Sequence, residues 1–310
     1  MPLNLHLLRM FATVVRTGSF SRAANALHTS QPAISKGVRD FELQIGCRLL
    51  DRTPKGVRPT REGLALMRHA EILFATEREA EEEMRSLRGL TEGSLRIGAS
   101  TTIASYMISE YLGIFHRAYP NIDLNIVSAN TREIADLMIA HEIDIALVEG
   151  PIKDENLIAE PWQTDVMELI VGSHHPFASE KLPIFGSAIA GETLIVREPG
   201  SGSREVVLTA LADHGIEPRR TLEIGSTEAI KQAVSVGLGV SIVSSAAVGD
   251  QVAQGRLKVI SINGVNIKRQ LWQLKIPGRL DAPAAVVFEQ MLNEPADRLK
   301  VAFAGKSYQA

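Results

Sequence analysis

The sequence predicts an α/β protein with three parts: a small helical N-terminal domain, one long connecting helix, and a larger C-terminal body of two α/β lobes. Three observations predict this class. Two short helices separated by a tight turn are indicated over residues 18–45, an apolar seam with heptad spacing follows Thr60, and strands alternate with helices from Ser94 onward. Such alternation is typical of parallel sheets wrapped by helices, and two clusters of these units favour two lobes over one sheet.

Charge is distributed unevenly along the chain. Residues 1–61 contain ten basic and three acidic side chains, a net charge of +7, which leaves −10 for the rest of a chain whose net charge is −3. A basic head on an acidic body indicates a nucleic-acid-binding domain attached to a body with another task. Cys47 is the only cysteine, so no internal disulfide is possible and a reducing compartment is expected.

The sequence shows no sign of export or of a membrane span. Its first residues lack a charged region ahead of a long apolar core, and no apolar run of about 18 residues occurs in the chain. Those first residues fit an amphipathic helix over roughly residues 4–16, which would back the two short helices. We therefore expect a cytoplasmic protein without a membrane partner.

Residues 18–45 are the segment around which the N-terminal domain is organised. Ser19 can cap a first short helix, Ser30 can cap a second, and Pro32 is tolerated in the first turn of the second. Four apolar side chains recur along the second helix and form an inward stripe: Ile34, Val38, Phe41 and Ile45. The opposite face carries short polar and basic side chains, which a helix that enters the major groove requires. The alternative is an ordinary helical hairpin with a solvated polar face.

Two short extended runs follow Gly46 and are joined by the turn signal Pro54-Lys55-Gly56. Such a ribbon beside a helix-turn-helix is typical of a wing, and its cations would lie close to phosphates, where they add affinity but little sequence information. The alternative for these cations is solvated loop charge. The candidate DNA-binding residues of the N-terminal domain are Ser21, Ser30, Gln31, Pro32, Ser35, Lys36, Arg39, Arg52, Lys55 and Arg58.

The run from Leu8 to Gly63 resembles the N-terminal domain of LysR-type transcriptional regulators. The matching motifs are F-x-x-V at 11–14, G-S-F-S-x-A-A-x-x-L at 18–27, S-Q-P-A-I-S at 30–35, R-L-L-x-R at 48–52 and T-x-x-G at 60–63. The resemblance implies a winged helix-turn-helix that binds double-stranded promoter DNA. Phe41 stands where the family commonly has Leu and Leu50 where it commonly has Phe, which indicates an exchange of volume within one core. Gly37, inside the recognition helix, costs about 1 kcal/mol of helix propensity relative to Ala.

One long helix is predicted from Thr60 to about Leu90. Its apolar seam has heptad spacing and indicates a partner helix; the seam consists of Leu66, Ala70, Leu73, Ala80, Met84 and Leu87. The resemblance implies a homodimer formed through this helix and a homotetramer made of two dimers. The predicted boundaries are 1–60 for the winged helix-turn-helix, 61–92 for the linker helix, 93–300 for the effector-binding domain and 301–310 for a tail.

The body is predicted to alternate strands and helices along its whole length. Helices are expected at 102–118, 131–141, 203–214, 227–238 and 283–299. Strands are expected at 94–100, 122–128, 143–148, 166–172, 193–197, 221–225, 239–243, 257–262 and 270–276. The resemblance implies a body like a periplasmic binding protein, with lobe I from 94–163 and 267–300 and lobe II from 164–266.

Three segments of the body join the end of a strand to the start of a helix, where ligands of doubly wound sheets collect and free N–H groups favour anions. These segments are Ala99–Thr102, Gly200–Arg204 and Gly225–Glu228. Arg204 can hold a carboxylate or phosphate through two hydrogen bonds. Each segment alone is equally consistent with a plain helix cap. Together they favour a small anionic metabolite between the lobes, with a carboxylate, phosphate or sulfur oxyanion.

Several runs of the body resemble the LysR branch that includes regulators of the RuBisCO operon and of cysteine metabolism: ASTTIASY, NTREIADL, ALVEGP, REPGSGSRE and GSTEAIKQAVSVGLGVSIVS. In that family, positions matching Ser100 and Thr102 lie in the effector cleft and those matching Ser203 and Arg204 in the facing lobe. Glu149, at the crossing between the lobes, could accept a hydrogen bond from the ligand or support the hinge, and we expect hinge support. The candidate effector-binding residues are Ser100, Thr101, Thr102, Glu149, Ser203, Arg204, Ser226 and Thr227.

No metal and no cofactor are predicted. Adjacent His174 and His175 point apart without another His or Cys to complete a site, GSGSR lacks the rest of a P-loop, and no nucleophilic set is evident, which disfavours an enzyme. A solute-binding receptor of periplasmic-binding-protein type, without a DNA function, remains the main alternative and would leave residues 1–61 without a role. The sequence favours a transcriptional regulator whose promoter binding and DNA bending respond to the metabolite.

Overall fold

The computed structural model describes residues 3–53, 56–86, 93–150, 152, 154–179, 183–295 and 298–299. The chain divides into two compact units, Met1–Ala80 and Glu81–Ala310. Within the described ranges, none of the helices combines the length and the apolar character that a membrane crossing requires.

The first unit is a three-helix domain with a two-stranded ribbon and the start of a long helix. Its elements are α1 (Leu5–Thr17), α2 (Phe20–Ala26), α3 (Gln31–Ile45), β1 (Leu50–Thr53), β2 (Gly56–Pro59) and α4 (Arg61–Ser86). Strands β1 and β2 are antiparallel, with Leu50 opposite Pro59. The predicted pair of short helices and the predicted ribbon are confirmed.

The ends of these helices follow from local sequence. Ser19 and Ser30 cap α2 and α3 as predicted, since each hydroxyl accepts a hydrogen bond at 3.4 Å from the backbone N–H three residues further on. Gly18 and Gly46 end α1 and α3 with φ angles of 63° and 83°, a left-handed conformation that glycine adopts without strain.

The core of the first unit explains the unusual residues of the predicted recognition helix. Phe41 is fully buried with its ring 6.2 Å from that of Phe11, and Leu50 belongs to the same buried cluster. The larger side chain at position 41 and the smaller one at position 50 therefore share one core, as predicted. Gly37 is buried, and a Cβ atom there would lie 2.3 Å from the sulfur of Met10. Glycine therefore lets α1 approach α3 and faces away from the polar surface of the helix.

Part of the long helix α4 packs into the core of the first unit. Met67, Ala70 and Phe74 are buried in the core of that unit, so the prediction that Ala70 belongs to an exposed seam is wrong. The domain covers that face of α4 with its own apolar side chains. Leu73 and Met84, by contrast, are exposed, and Leu87 lies outside the described residues.

The second unit is built of strands and helices that mostly alternate along the chain, as predicted. Its elements are β3 (Gly93–Ser100), α5 (Thr101–Tyr106), α6 (Ser109–Ala118), β4 (Ile122–Ala129), α7 (Thr131–Ile139), β5 (Ile145–Glu149), β6 (Ile158–Gly172), α8 (Gly186–Ala190), β7 (Thr193–Val196), α9 (Gly202–Asp213), β8 (Arg220–Glu223), α10 (Thr227–Ser235), β9 (Ser241–Ser244), α11 (Gly249–Ala253), β10 (Leu257–Ile260), β11 (Ile267–Lys275) and α12 (Pro283–Leu292).

Two long strands, β6 and β11, connect the lobes of this unit. In lobe I, β3 lies parallel between β4 and β5, and β11 pairs with β5. The first half of β6 pairs with β11, whereas its second half pairs with β9 and β10 in lobe II. In lobe II, β7 and β8 form a parallel pair that joins the chain ahead of β9 through a bridge between Leu194 and Val240. The two crossing strands are therefore the covalent hinge between the lobes.

Three predicted elements of the body differ from the structure. The single helix expected over 102–118 is wrong, because the N–H groups of Met107 and Ile108 both bond to Ile103 and end α5 before α6 begins. The closing helix ends at Leu292 instead of 299. Strand β6 begins at Ile158, well before the predicted residue 166, because its polar first half is held by pairing with β11.

Candidate functional site

The predicted DNA-binding face lies on α2, α3 and the ribbon of the first unit. Most of the predicted residues are exposed: Ser21, Ser30, Gln31, Pro32, Lys36, Arg39 and Arg58. Ser35 is half-buried. Arg52 lies on β1, and the structure does not describe its side chain, while Lys55 lies outside the described residues. The exposed cations therefore share one domain with a helix whose apolar residues Ile34, Val38 and Phe41 are buried, whereas Ile45, predicted to face inward, is 38% exposed at the end of that helix.

The ribbon is fixed to the helices by hydrogen bonds of its backbone and of the residues just before it. The Glu42 carboxylate, near the end of α3, accepts hydrogen bonds from the N–H groups of Leu49 and Leu50 at 2.8 and 3.1 Å. The N–H of Val57 on β2 donates to the carbonyl of Gly18 at 3.1 Å. These contacts hold the wing in a defined position beside α3.

In the second unit, Glu149 gathers three of the predicted effector-binding hydroxyls around one buried carboxylate. Glu149 ends β5 and is 1% exposed. It accepts hydrogen bonds from Ser100, from Thr102 at 3.1 Å, and from Ser203 of lobe II at 2.7 Å. Because β3 and β5 are parallel neighbours, Ser100 and Glu149 meet at the carboxyl edge of the sheet. The cluster joins lobe I to the first turn of α9.

The crossing strands complete this cluster with an ion network. Arg269 on β11 lies 3.4 Å from Glu149, donates to Ser203 at 2.8 Å, and donates through Nε to Asp165 on β6 at 2.8 Å. Ser244 donates to the other oxygen of Asp165 at 2.9 Å. Every one of these side chains is buried, so the network pairs charged and polar groups that would otherwise be very costly to bury.

A second buried cation, Arg197, lies between two of the three remaining predicted hydroxyls. Its guanidinium donates to Thr101 of lobe I at 3.2 Å and to Thr227 of lobe II at 3.4 Å. The adjacent Glu198 accepts two hydrogen bonds from it, both at 2.8 Å. Burial raises the pKa of Glu198, but hydrogen bonds from Arg197, from its own backbone N–H and from the Asn130 side chain, together with the charge of Arg197, outweigh this and hold the pKa below its ordinary value.

The two other candidates, Arg204 and Ser226, make different contacts. The Arg204 guanidinium donates to the backbone carbonyl of Arg197 at 2.7 Å and to Glu223 at 3.3 Å, so it supports the loop after β7. Ser226 is half-buried at the N-cap of α10 and makes no capping hydrogen bond through its side chain.

A small cavity lies beside these residues between the lobes. Its volume is about 20 Å³, and its polar lining includes Thr102, Arg197, Ser203, Arg204, Thr227 and Ser244. That volume holds about one water molecule. A ligand with several oxygen atoms therefore requires the lobes to move apart or a side chain to leave.

A polar contact at the mouth of the cleft also links the lobes. The Tyr106 hydroxyl, at the end of α5, donates to Glu228 on α10. Lys231, which is buried, pairs with Glu228 at 2.6 Å, donates to the carbonyl of Ala247 at 2.5 Å, and lies 5.0 Å from the centre of the Tyr106 ring. We call Tyr106, Glu228 and Lys231 the cleft latch.

Sequence reasoning did not select four buried polar residues of the cleft: Asp165, Arg197, Ser244 and Arg269. Arg197 carried a local signal, because a cation directly after the apolar strand β7 stands where ligands bind in such sheets. Asp165 and Arg269 carried none, since they are 104 positions apart and meet only through the pairing of β6 with β11.

A helix-turn-helix domain with an exposed basic face, joined to a two-lobed body with buried cations and hydroxyls between the lobes, defines a ligand-responsive DNA-binding regulator. Residues 5–64 match the bacterial regulatory helix-turn-helix protein of the lysR family, and residues 88–296 match the LysR substrate binding domain. The chain belongs to the LysR family of transcriptional regulators. The resemblance seen in the sequence is thus confirmed.

Two relatives illustrate the branch. The probable RuBisCO transcriptional regulator of Cyanidioschyzon merolae is 34% identical and is aligned over 94% of this chain and 99% of its own length. The HTH-type transcriptional regulator CysL of Bacillus subtilis is 30% identical, over 92% of this chain and 95% of its own. Both names fit the branch expected from the sequence.

Two solved structures share the architecture. A full-length OxyR variant from Pseudomonas aeruginosa matches with a TM-score of 0.75 at 23% identity, covering 97% of this chain and 96% of that chain; this likeness shows the fold. The regulatory domain of CcmR from Synechocystis PCC6803, in complex with 2-PG, matches with a TM-score of 0.61 at 31% identity, covering 65% of this chain and 96% of that chain.

Proposed function

We propose that this regulator binds promoter DNA with α3 in the major groove and the wing on the backbone, and that a small anionic metabolite bound between the lobes changes that binding. The polar side of α3 would read base edges through Gln31, Ser35 and Lys36. Arg39, Arg58 and the ribbon cations Arg52 and Lys55 would contact phosphates, with Ser21, Ser30 and Pro32 at the edge of the interface.

The observation that carries the effector site is the position of Arg197. This buried guanidinium touches a hydroxyl of lobe I and a hydroxyl of lobe II, so an anion bound to it would contact both lobes at once. The related CcmR domain, which binds 2-PG, a small anionic metabolite, supports the same ligand class for this chain. Thr101 and Thr227 would hold the anion with Arg197, while Ser100, Thr102 and Ser203 would orient the site through Glu149.

The assembly follows from the linker helix. The exposed apolar residues Leu73 and Met84 of α4 would pack against a second copy, giving a homodimer whose two heads bind a site of interrupted dyad symmetry. Two dimers would form a homotetramer that bends the DNA, and the ligand would alter the bend by favouring one lobe arrangement. The protein would act in the cytoplasm and catalyse no reaction.

Fluorescence anisotropy with a labelled fragment of the chain's own upstream region tests the DNA part of this proposal. Arg39→Ala should weaken binding and reduce the slope of log affinity against log salt by about one, because one phosphate contact is lost. Arg219→Ala is the matched control, since it removes the same charge from an exposed position of lobe II. Equal losses for both variants would contradict the proposed face.

A further inference from the structure

The guanidinium of Arg197 forms a cradle for an anion between the lobes. The side chain is 5% exposed and follows directly after β7. Its Nη2 atom points to the hydroxyl of Thr101 and its Nη1 atom to the hydroxyl of Thr227. A planar group with several donors, flanked by hydroxyls of two facing lobes, suits a carboxylate or phosphate held through paired hydrogen bonds.

The chain fills this cradle with its own carboxylate. Oε2 of Glu198 accepts from Nε of Arg197, and Oε1 of Glu198 accepts from Nη2, each at 2.8 Å. This is the two-point geometry that an external carboxylate or phosphate would adopt. Glu198 therefore uses the donors that an anionic ligand would need.

Glu198 is held less firmly than Glu149, another internal carboxylate of the cleft. Glu149 is 1% exposed, accepts three hydroxyl hydrogen bonds and pairs with Arg269, so its departure would leave a buried guanidinium short of partners. The Glu198 side chain is 24% exposed and can turn toward water, where a carboxylate is hydrated again. Of these two carboxylates, Glu198 is the exchangeable one.

We propose that Glu198 is an internal competitor that sets the affinity and the selectivity of the effector site, an inference that rests on the proposed function. Without ligand, Glu198 neutralises the buried Arg197. An incoming oxyanion takes its place on the guanidinium while Glu198 turns to solvent. Each anion then binds more weakly by the cost of displacing Glu198, and a neutral ligand is rejected because it would leave Arg197 without a counter-charge.

Isothermal titration calorimetry of the full-length protein with inorganic phosphate, sulfate and 2-PG tests this proposal. Glu198→Gln keeps the size of the side chain and removes its charge, and Glu217→Gln, exposed in the same lobe, is the control. We expect Glu198→Gln to bind 2-PG or the inorganic anions about tenfold more tightly than the wild type, because the competitor is weakened. Glu217→Gln should match the wild type, and Arg197→Gln should bind none of the anions.

The outcomes separate this inference from the proposed function. If the wild type binds 2-PG, Arg197→Gln does not, and Glu198→Gln binds no more tightly than the wild type, the competitor is refuted and the effector site stands. If neither the wild type nor a folded Glu198→Gln binds any of the three anions, both proposals fail. If circular dichroism shows that Glu198→Gln does not fold, Glu198→Asp replaces it. Its shorter side chain weakens the two-point contact with Arg197, so this variant is also expected to bind the anions more tightly than the wild type.

Discussion

At the scale of single residues, the cleft is defined by a balance of buried charges. Arg269 is buried between two buried carboxylates, Glu149 and Asp165. The desolvation cost of such ions is large, and the surrounding hydroxyls offset it only while every partner is present. The network is therefore sensitive to the removal of any one member.

Replacement of the central guanidinium provides the residue-scale prediction. Arg269→Met should lower the free energy of unfolding of the second unit by about 3–5 kcal/mol, because two buried carboxylates lose their counter-charge. Lys268→Met, at the exposed neighbouring position, should change it by less than about 0.5 kcal/mol. Urea unfolding followed by tryptophan fluorescence measures both, since the chain's two tryptophans, Trp162 and Trp272, lie in that unit. Equal stability of the two variants would refute the network's importance.

The residues of the cleft were only partly predictable. Hydroxyls at the ends of strands, such as Ser100 and Thr102, could be selected because strand-to-helix junctions are visible in sequence. Their actual partner, Glu149, was expected to support the hinge, and its contacts with both lobes fit that role. The choice of Arg204 over Arg197 rested on a helix start, which cannot reveal that Arg204 turns back to the carbonyl of Arg197.

At the scale of elements, the cleft latch connects α5 of lobe I with α10 of lobe II. Burial raises the pKa of Glu228, but hydrogen bonds from Lys231 and Tyr106 and the Lys231 charge hold it below the ordinary value of 4.5. A carboxyl whose pKa is lowered on folding stabilises the folded state above its unfolded pKa, and this contribution is lost as pH falls through the folded pKa.

The latch predicts a pH-dependent effect of Glu228→Gln. At pH 7 the variant should be less stable by at most about 1 kcal/mol, since the Glu228 side chain is more than half exposed and water screens the pair. The difference from the wild type should shrink as the pH falls below 4.5. Thermal unfolding between pH 7 and pH 3 checks this, with Glu217→Gln as the exposed control. A difference that grows toward low pH would contradict the assignment.

Helices and strands were predicted correctly where apolar residues recur with a regular period inside one segment. The predictions failed where an element depends on contacts with residues far away in the sequence. The helices of the first unit follow from apolar stripes and serine caps. The break between α5 and α6 has no proline or glycine to mark it; Ile103 and Ile108, on either side, are both fully buried, so packing defines it. The first half of β6 was not predicted as a strand, because Pro161 and the polar residues around it are unusual in strands. This half pairs with β11, whose register shifts between Gln270 and Trp272.

At the scale of the whole molecule, the basic residues and the ligand cleft belong to different parts of the chain. The first 61 residues carry the net positive charge and the acidic remainder carries the cleft, so phosphate binding and metabolite binding use separate surfaces. The lobes share only β6 and β11 as crossing strands among the described residues. A ligand that binds both lobes can therefore shift the lobe arrangement if its affinity differs between arrangements.

DNase I footprinting of the chain's own upstream region, with and without 2-PG, tests the central claim most directly. The wild type should protect a site with dyad symmetry, and 2-PG should change the length of the footprint or its hypersensitive positions, which report DNA bending. Arg197→Gln should give the same footprint without ligand and show no response to 2-PG. An identical response of the wild type and Arg197→Gln, or the absence of any protected site at low salt, would contradict the account.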